Sequence, residues 1–107
     1  MLREAVDRVV SPGLVIVAGD LNTTPFEPGF AVIADGLTDA HATVGTGPGF
    51  TWRPAFLEPL DAGVIRIDHV LTGSRLLPVA VDEECGLPGD HCRLTVLLEL
   101  GPDSSLP

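Results

Sequence analysis

The chain has 107 residues, of which 45% are hydrophobic and 20% charged. This balance is typical of one globular domain, and the apolar runs are far shorter than the roughly 20 residues of a bilayer span, which excludes a transmembrane helix. Fifteen acidic and six basic residues give a net charge of −9, which argues against a chain that grips long nucleic acid by neutralising its phosphates.

The first half predicts a helix, a strand and a second helix. Leu2 to Val10 places its apolar residues near one helical face and lacks the apolar core of a signal peptide. Leu14 to Ala18 is a β-branched run bounded by glycine, which predicts a strand buried on both faces. Thr23 to Pro25 offers a cap and a first-turn proline, so Glu27 to Ala34 is predicted as a helix ending near Gly36.

The second half predicts mainly strands. Thr43 to Gly49 is a glycine-rich loop that leads into a short strand at Phe50 to Trp52. Val64 to Leu71 is predicted as a second buried strand, and Leu76 to Val81 and Cys92 to Leu100 as two more. The turn spacing predicts an α+β fold, a mostly antiparallel sheet with one or two short helices.

Domain limits and cysteines complete this organisation. Residues 1–100 are predicted to form the domain, and residues 101–107 a disordered tail.

Cys85 and Cys92 are seven positions apart without a second pair, so neither a zinc ribbon nor a disulfide scaffold is indicated. Free thiols are the prediction, and a bridge across the loop is the alternative in an oxidising compartment.

A carboxylate and an amide follow the first predicted strand. Asp20 and Asn22 are two positions apart, so a turn after Gly19 can direct both into one cleft. A carboxylate accepts a proton from water, and an amide donates to a phosphate oxygen without charge repulsion, which fits a water-orienting group and a phosphate anchor. The alternative is an Asx turn, in which both side chains bond only the local backbone.

A second carboxylate lies within a predicted buried strand. Unpaired and ionised, Asp68 would be costly to bury, so it needs a partner. His91 is the predicted partner, because an imidazole held at one nitrogen by a carboxylate presents the other nitrogen to substrate, and when protonated it stabilises charge on a phosphate oxygen. The alternative is a structural pairing of Asp68 with Arg66 or with a backbone group.

Further polar residues flank these positions. Asp90 follows a glycine- and proline-containing turn, and with Asp20 it is the predicted ligand of Mg²⁺ or Mn²⁺, directly or through water. Trp52 and Arg53 could stack on or bind a substrate beside the site, but core packing is the favoured interpretation of a lone tryptophan at a strand end.

Two histidines are interpreted as structural. His69 should face away from its neighbouring carboxylate because strand side chains alternate, and His41 has no nearby set of ligands in the sequence.

Four motifs occur in order at predicted strand boundaries: Gly19–Pro25, Phe50–Trp52, Arg66–Leu71 and Gly89–His91. In this order they resemble the endonuclease/exonuclease/phosphatase superfamily, which has the fold of pancreatic deoxyribonuclease, and the resemblance runs from about Leu2 to Leu100. It implies a metal-dependent hydrolase of phosphodiesters or phosphomonoesters, a class that includes nucleases.

The resemblance also implies roles for single residues. Asp20 would orient the attacking water, Asn22 would bind the scissile phosphate, and Asp68 would position His91 against a phosphate oxygen. Asp90 would assist the metal. Two more residues have minor roles: Thr24 would support the loop after the first strand, and Trp52 would line the cleft.

The chain departs from the family pattern in two ways. Gly89 stands where the family usually has serine, which removes a hydroxyl but leaves Asp90 and His91. The family fold is a two-sheet sandwich whose amino-terminal half supplies a glutamate metal ligand, and nothing before Leu14 matches that half. The resemblance therefore implies the C-terminal half alone, inactive without the remainder. Strands that are apolar on both faces need two covers, so we expect the bare face to pack against the missing half or an identical chain.

The acidic balance favours a small-molecule, nucleotide or lipid-headgroup phosphate over long DNA as substrate. We expect a soluble chain, cytoplasmic by default, whose parent protein could be exported or anchored to a membrane. The alternative function is a non-catalytic α+β interaction module, with structural acidic turns and an apolar face that binds a partner.

Overall fold

The fold is described from a computed structural model over residues 2–9, 11–53, 65–85 and 89–102. These ranges contain three α-helices and five strands in antiparallel sheets, which confirms the predicted α+β fold. The helices are α1 (Leu2–Asp7), α2 (Pro28–Ala34) and α3 (Ala40–Val44), and a 3₁₀ turn covers Pro12–Leu14. The strands are β1 (Ile16–Asp20), β2 (Thr38–Asp39), β3 (Asp68–Thr72), β4 (Leu76–Glu84) and β5 (Arg93–Leu100).

Strand β3 is the centre of a three-stranded antiparallel sheet with the order β1–β3–β2. The register sets Gly19 opposite His69 and Asp20 opposite Asp68. Because antiparallel neighbours run in opposite directions, the end of β1 lies beside the start of β3. Two of the predicted site residues are therefore brought to the same end of the sheet by backbone pairing alone.

Strands β4 and β5 form a separate antiparallel hairpin, with a register shift between Pro78 and Ala80. Helix α3 packs against β4. At the far end of the hairpin Glu84 pairs with Arg93, and the connection between them carries Asp90 and His91. The hairpin thus holds the second group of predicted site residues.

The core of the described chain is small. Val17, Phe30 and Leu71 form its buried centre, from β1, α2 and β3 respectively. Partly buried hydrophobic residues surround it: Val6, Val15, Leu21, Ile33, Ala34 and Leu37. The first two helices therefore cover one side of the β1–β3 pair, and burying these side chains supplies the main driving force for folding.

The predicted burial of the first strand on both faces is wrong. Only Val17 of β1 is buried, and Ile16 is 52% exposed. Among the described residues β1 pairs only with β3, so it is an edge strand. A β-branched apolar run indicates a strand, but its burial depends on what covers it. The central strand β3, in contrast, buries His69, Leu71 and Thr72.

Several predicted boundaries shift. The first-turn proline of α2 is Pro28 and not Pro25. The predicted loop from Thr43 begins two residues later because α3 reaches Val44. Asp39 caps this helix by accepting hydrogen bonds from the backbone N–H groups of His41 and Ala42. Sequence propensity did not predict α3, whose few residues depend on this cap and on packing.

The predicted strand at Phe50–Trp52 is reduced to isolated bridges. Trp52 pairs with Ile65 on one side and with His91 on the other. The segment is thus too short for a strand, but it still connects the start of β3 with the end of the β4–β5 loop.

The prediction of free thiols is wrong, because Cys85 and Cys92 form a disulfide with a Cα–Cα distance of 4.3 Å. The hairpin register explains the pairing. Glu84 lies opposite Arg93, so the next residue on each strand faces the other across the loop. The sequence alone does not contain this register. The bridge closes the segment that carries Asp90 and His91.

The first residue of the predicted disordered tail is part of the fold. Gly101 is buried, and its N–H donates a hydrogen bond to the Arg75 carbonyl at 2.6 Å. Residues 103–107 of that tail, together with Val10 and Val64 of two predicted elements, lie outside the described residues. Of the helices in the described ranges, none has the length and apolar character needed to cross a membrane.

Candidate active site

Asp68 and His91 form the shortest contact of the candidate site. His91 Nδ1 lies 2.7 Å from Asp68 Oδ2, with 35% of the histidine side chain and 16% of the aspartate side chain exposed. The hydrogen bond from His91 to Asp68 raises the pKa of the imidazole above its usual 6.5, and the charges of Asp68, Asp20 and Asp90 act in the same direction. The carboxylate holds the proton on Nδ1 and leaves Nε2 facing the cleft.

Asp20 approaches the other nitrogen of the same imidazole. Its Oδ2 lies 3.7 Å from His91 Nε2, too far for a hydrogen bond but close enough for a charge interaction. Asp20, Asp68 and His91 each offer one ligand atom within 4.8 Å of the others. Because Asp20 and Asp68 are direct cross-strand neighbours, their negative charges repel, and a cation between them offsets this cost.

Asn22 occupies a left-handed backbone conformation, with φ of 52°. Its N–H donates a hydrogen bond to Asp20 Oδ1 at 2.8 Å, which is the Asx turn of the alternative interpretation. The side chain of Asn22 is exposed and has no hydrogen bond within the described chain. The turn therefore uses one oxygen of Asp20. It leaves the other oxygen of Asp20 and the side-chain amide of Asn22 without a hydrogen bond in the described chain. The following loop is held at Thr24, whose N–H donates to Glu27 Oε1 at 2.8 Å.

Asp90 lies on the same side of His91 as Asp20. Its Oδ1 is 3.8 Å from His91 Nε2, and its Oδ2 accepts a hydrogen bond from the Trp52 indole at 3.0 Å. Trp52 is thus at the rim of the site and orients Asp90. Asp90 stays outside the group of three side chains that lie within 4.8 Å of one another.

Arg53 is not brought to this rim. Its side chain is 1% exposed, and its backbone N–H donates to the Asp90 carbonyl at 3.0 Å. The structure therefore places the guanidinium inside the protein, away from the surface that a substrate reaches.

Arg66 pairs with Asp39 and not with Asp68. The guanidinium donates two hydrogen bonds, at 3.0 and 2.9 Å, to the two oxygens of Asp39. Arg66 Nη1 also lies 3.3 Å from His69 Nδ1. The structural alternative for Asp68 thus has no support from Arg66, which is already bonded elsewhere.

His69 is fully buried beneath the site, against the ring of Phe30. Its Nε2 lies 2.7 Å from the Thr23 carbonyl, so the neutral ring donates from Nε2 and accepts at Nδ1 from Arg66. Burial lowers the pKa of His69 below the usual 6.5, and the Arg66 charge acts in the same direction. This ring anchors the loop after Asp20 to the core.

The buried ring predicts a pH effect on stability. Because the pKa of His69 is lowered on folding, its contribution to the free energy of unfolding is complete above about pH 6.5 and is lost as the pH falls. His69→Gln keeps a donor near the Nε2 position and does not titrate. We expect the stability difference between wild type and this variant, from urea unfolding, to grow from pH 5 to pH 7.5. His91 acts with the opposite sign but cancels in this comparison, and a difference independent of pH contradicts the prediction.

The sequence did not indicate Thr51 as a site residue, although it lies within the Phe50–Trp52 motif. Its side chain is fully buried, and Oγ1 accepts hydrogen bonds from the N–H groups of Ile67 at 3.2 Å and Asp68 at 3.1 Å. Only the motif itself could have suggested it, because the bonds depend on the tertiary path of the chain.

An open pocket of about 560 Å³ adjoins the segments that carry the site. Its lining is mainly apolar, and the Phe26 side chain at its edge is 97% exposed. The lining residues are Thr24, Pro25, Phe26, His41, Gly47, Pro48, Phe50, Ile65 and Arg66. Thr24 belongs to this lining, whereas Asp20, Asp68 and His91 do not.

The donor atoms fit a hard divalent cation. Asp20 and Asp90 are about half exposed, and each directs one carboxylate oxygen to within 4 Å of His91 Nε2. Carboxylate oxygens are the ligands that Mg²⁺ and Mn²⁺ prefer, with water completing the shell. Asp20 and Asp90 therefore have the donor chemistry that such an ion prefers.

Comparison with known proteins gives one result. The family model described as Endonuclease/Exonuclease/phosphatase family matches residues 1–91. No curated protein and no solved structure matches the chain.

Proposed function

Because the chain belongs to the endonuclease/exonuclease/phosphatase family, which is of phosphoesterase and nuclease type, we propose that it is a metal-dependent phosphoesterase. The observation that carries the proposal is the hydrogen bond of 2.7 Å between Asp68 and His91, with Asp20 Oδ2 at 3.7 Å from the other nitrogen of His91. The imidazole is held by one carboxylate and faces a second one. It can therefore donate a proton to a bound substrate while the second carboxylate accepts a proton close by.

The roles of the side chains follow from their free atoms. Asp20 Oδ2 orients the attacking water and accepts its proton. The exposed side-chain amide of Asn22 donates to one non-bridging phosphate oxygen and His91 Nε2–H donates to another, where they stabilise the charge that develops as water attacks phosphorus. The leaving oxygen departs with the electron pair of the P–O bond and takes a proton from solvent. Asp68 keeps His91 protonated and in a fixed orientation, because it accepts the Nδ1–H.

Metal dependence is supported by the charge of the site. Asp20, Asp68 and Asp90 surround a single imidazole, and a phosphate ester that approaches them adds further negative charge. One imidazolium cannot balance this charge, so a cation lowers the cost of binding. When bound by Asp20 and Asp90, Mg²⁺ or Mn²⁺ would neutralise charge on the phosphate oxygens.

The proposed substrate is a small phosphate ester, such as a nucleotide or a lipid-headgroup phosphate. The net charge of −9 disfavours a long polyanion. The open pocket lined by Thr24, Phe26 and Phe50 is of the size that holds small ligands, and its two phenylalanines supply apolar contact area for the organic part of an ester.

We further propose that full activity needs another polypeptide segment, either a remaining part of the fold or a second copy of the chain. Ile16 of β1 is half exposed, and only Val17 of that strand is buried, so the sheet has an uncovered apolar surface. The described residues also supply few carboxylates for a catalytic metal. A covering segment can add a ligand and exclude water from the cleft.

The test is metal binding followed by turnover. We expect Mg²⁺ or Mn²⁺ to bind in the millimolar range in titration calorimetry, and both Asp20→Asn and Asp90→Ala to weaken binding. Asp82→Ala, at an exposed position of β4, is the matched control and should not change it. Binding that does not depend on Asp20 or Asp90 would reject the ligand assignment. Turnover is then compared on a nitrophenyl phosphodiester, with the chain alone and with any longer polypeptide that contains it; equal turnover contradicts the need for another segment.

A second candidate function has its own support. The hydrogen bond from Asn22 N–H to Asp20 is a complete structural turn, and the exposed face of β1 is a surface for a partner. These features fit a non-catalytic interaction module. Absence of both metal binding and hydrolysis, in the chain alone and in any longer polypeptide that contains it, would favour that function.

A further inference from the structure

Thr51 lies at the crossing of the segments that carry the site. Its backbone N–H donates to the Ile65 carbonyl at 2.8 Å, and its carbonyl accepts from Cys92 N–H at 2.7 Å. Ile65 lies three residues before Asp68, and Cys92 directly follows His91. Together with Trp52, Thr51 therefore connects the two segments that carry these side chains.

The side chain of Thr51 adds a second connection to Asp68. Asp68 is opposite Asp20 in the register of β1 and β3, and its N–H bonds to Thr51 rather than to a strand backbone. Thr51 Oγ1 accepts from it at 3.1 Å and from Ile67 N–H at 3.2 Å. Both donors would otherwise be unpaired in a buried region, which is costly, so the bonds fix the backbone from which the Asp68 carboxylate projects.

We propose that Thr51 is a positioning residue that holds Asp68 against His91. Only the expected effect of Thr51 on turnover rests on the proposed function. The hydroxyl does not touch the reacting atoms. It restricts the Asp68 backbone, so that the carboxylate stays at hydrogen-bond distance from His91 Nδ1. Loss of a residue that orients a ligand or catalytic group typically lowers activity by about 10- to 100-fold.

The test measures the tautomer of the His91 imidazole. In long-range proton–nitrogen NMR spectra at alkaline pH, where the ring is neutral, wild-type His91 should carry its proton on Nδ1, because Asp68 accepts it there. Thr51→Val removes the hydroxyl at nearly constant volume, and we expect His91 to move toward the Nε2–H tautomer that free histidine favours. Thr51→Ser keeps the hydroxyl and should retain the Nδ1–H tautomer.

Thr72→Val is the matched control. Thr72 is also fully buried, and its hydroxyl donates to the Leu76 carbonyl at 2.8 Å, away from the site. This variant loses a comparable buried hydrogen bond and should leave the His91 tautomer unchanged. A general loosening of the fold would shift the His91 tautomer equally in Thr51→Val and in Thr72→Val.

The outcomes separate the two proposals. If Thr51→Val retains the wild-type tautomer, the positioning role is wrong whatever the activity. If the tautomer shifts, kcat should fall about 10- to 100-fold with KM little changed, and Thr51→Ser should restore it. A tautomer shift in a protein that hydrolyses no phosphate ester, even when the covering segment is present, would support the role of Thr51 and reject the proposed enzyme.

A measurement on the wild type covers the case in which Thr51→Val does not fold. Slow hydrogen exchange of the Ile67 and Asp68 amides would support the two bonds to Thr51, and rapid exchange of both would overturn the proposal.

Discussion

Asp68→Asn is expected to lower kcat by about a thousandfold to ten-thousandfold with little change in KM. The amide that replaces the carboxylate removes the charge that raises the pKa of His91 and no longer fixes its Nδ1–H tautomer, and losses of this size follow the same change in a hydrolase triad. The measurement is steady-state hydrolysis of a nitrophenyl phosphodiester with Mg²⁺, in the form of the protein that turns over.

The same variant gives a pH signature. If protonated His91 stabilises the phosphate oxygen, kcat declines as the pH rises through its pKa, and loss of the Asp68 charge moves that decline to lower pH. Asp82→Asn, at an exposed position on β4, changes charge equally and should leave both rate and pH profile unchanged. A fall of less than tenfold in Asp68→Asn would mean that His91 does not depend on this carboxylate.

Arg66→Met is expected to lower the free energy of unfolding by about 3–5 kcal/mol. Only 11% of the Arg66 side chain and 13% of the Asp39 side chain are exposed, so removal of the guanidinium leaves a poorly hydrated carboxylate that has lost its countercharge. It also removes the donor to His69 Nδ1. Urea unfolding of both proteins at neutral pH measures the loss.

The control is an exposed ion pair of the same chemistry. Arg93 contacts Glu84 on the hairpin, where both side chains are at least half exposed, and Arg93→Met should change stability by no more than about 1 kcal/mol. Similar losses in the two variants would show that the Arg66–Asp39 pair gains nothing from its burial.

Local sequence patterns predicted most of the elements. The apolar run before Asp20, the helix ending at Ala34 and the two strands of the hairpin were all indicated by residue type and turn signals. Helix α3 was not indicated, because its five residues are stabilised by the Asp39 cap and by packing on β4. The exposure of β1 could not be predicted either, since hydrophobicity alone does not say which faces receive a cover.

The candidate site shows the same division. Motifs at strand boundaries indicated Asp20, Asp68 and His91, and the β1–β3 register and the hairpin loop bring these three together. The contacts that organise them were not accessible from the sequence. The bond from Trp52 to Asp90, the two bonds to Thr51 and the bridge from Cys85 to Cys92 all join residues whose proximity depends on the tertiary path. Arg53 was considered as a substrate contact because it follows a cleft motif, but its side chain is buried.

The position of β1 at the margin of its sheet has a consequence for handling the protein. Among the described residues, the outer N–H and C=O groups of this strand have no ladder partner, and an open strand edge is a template for adding another strand. The net charge of −9 keeps copies apart by mutual repulsion at neutral pH. Acidification toward the isoelectric point near 4.4 removes that repulsion, so precipitation through strand-to-strand aggregation should be greatest there.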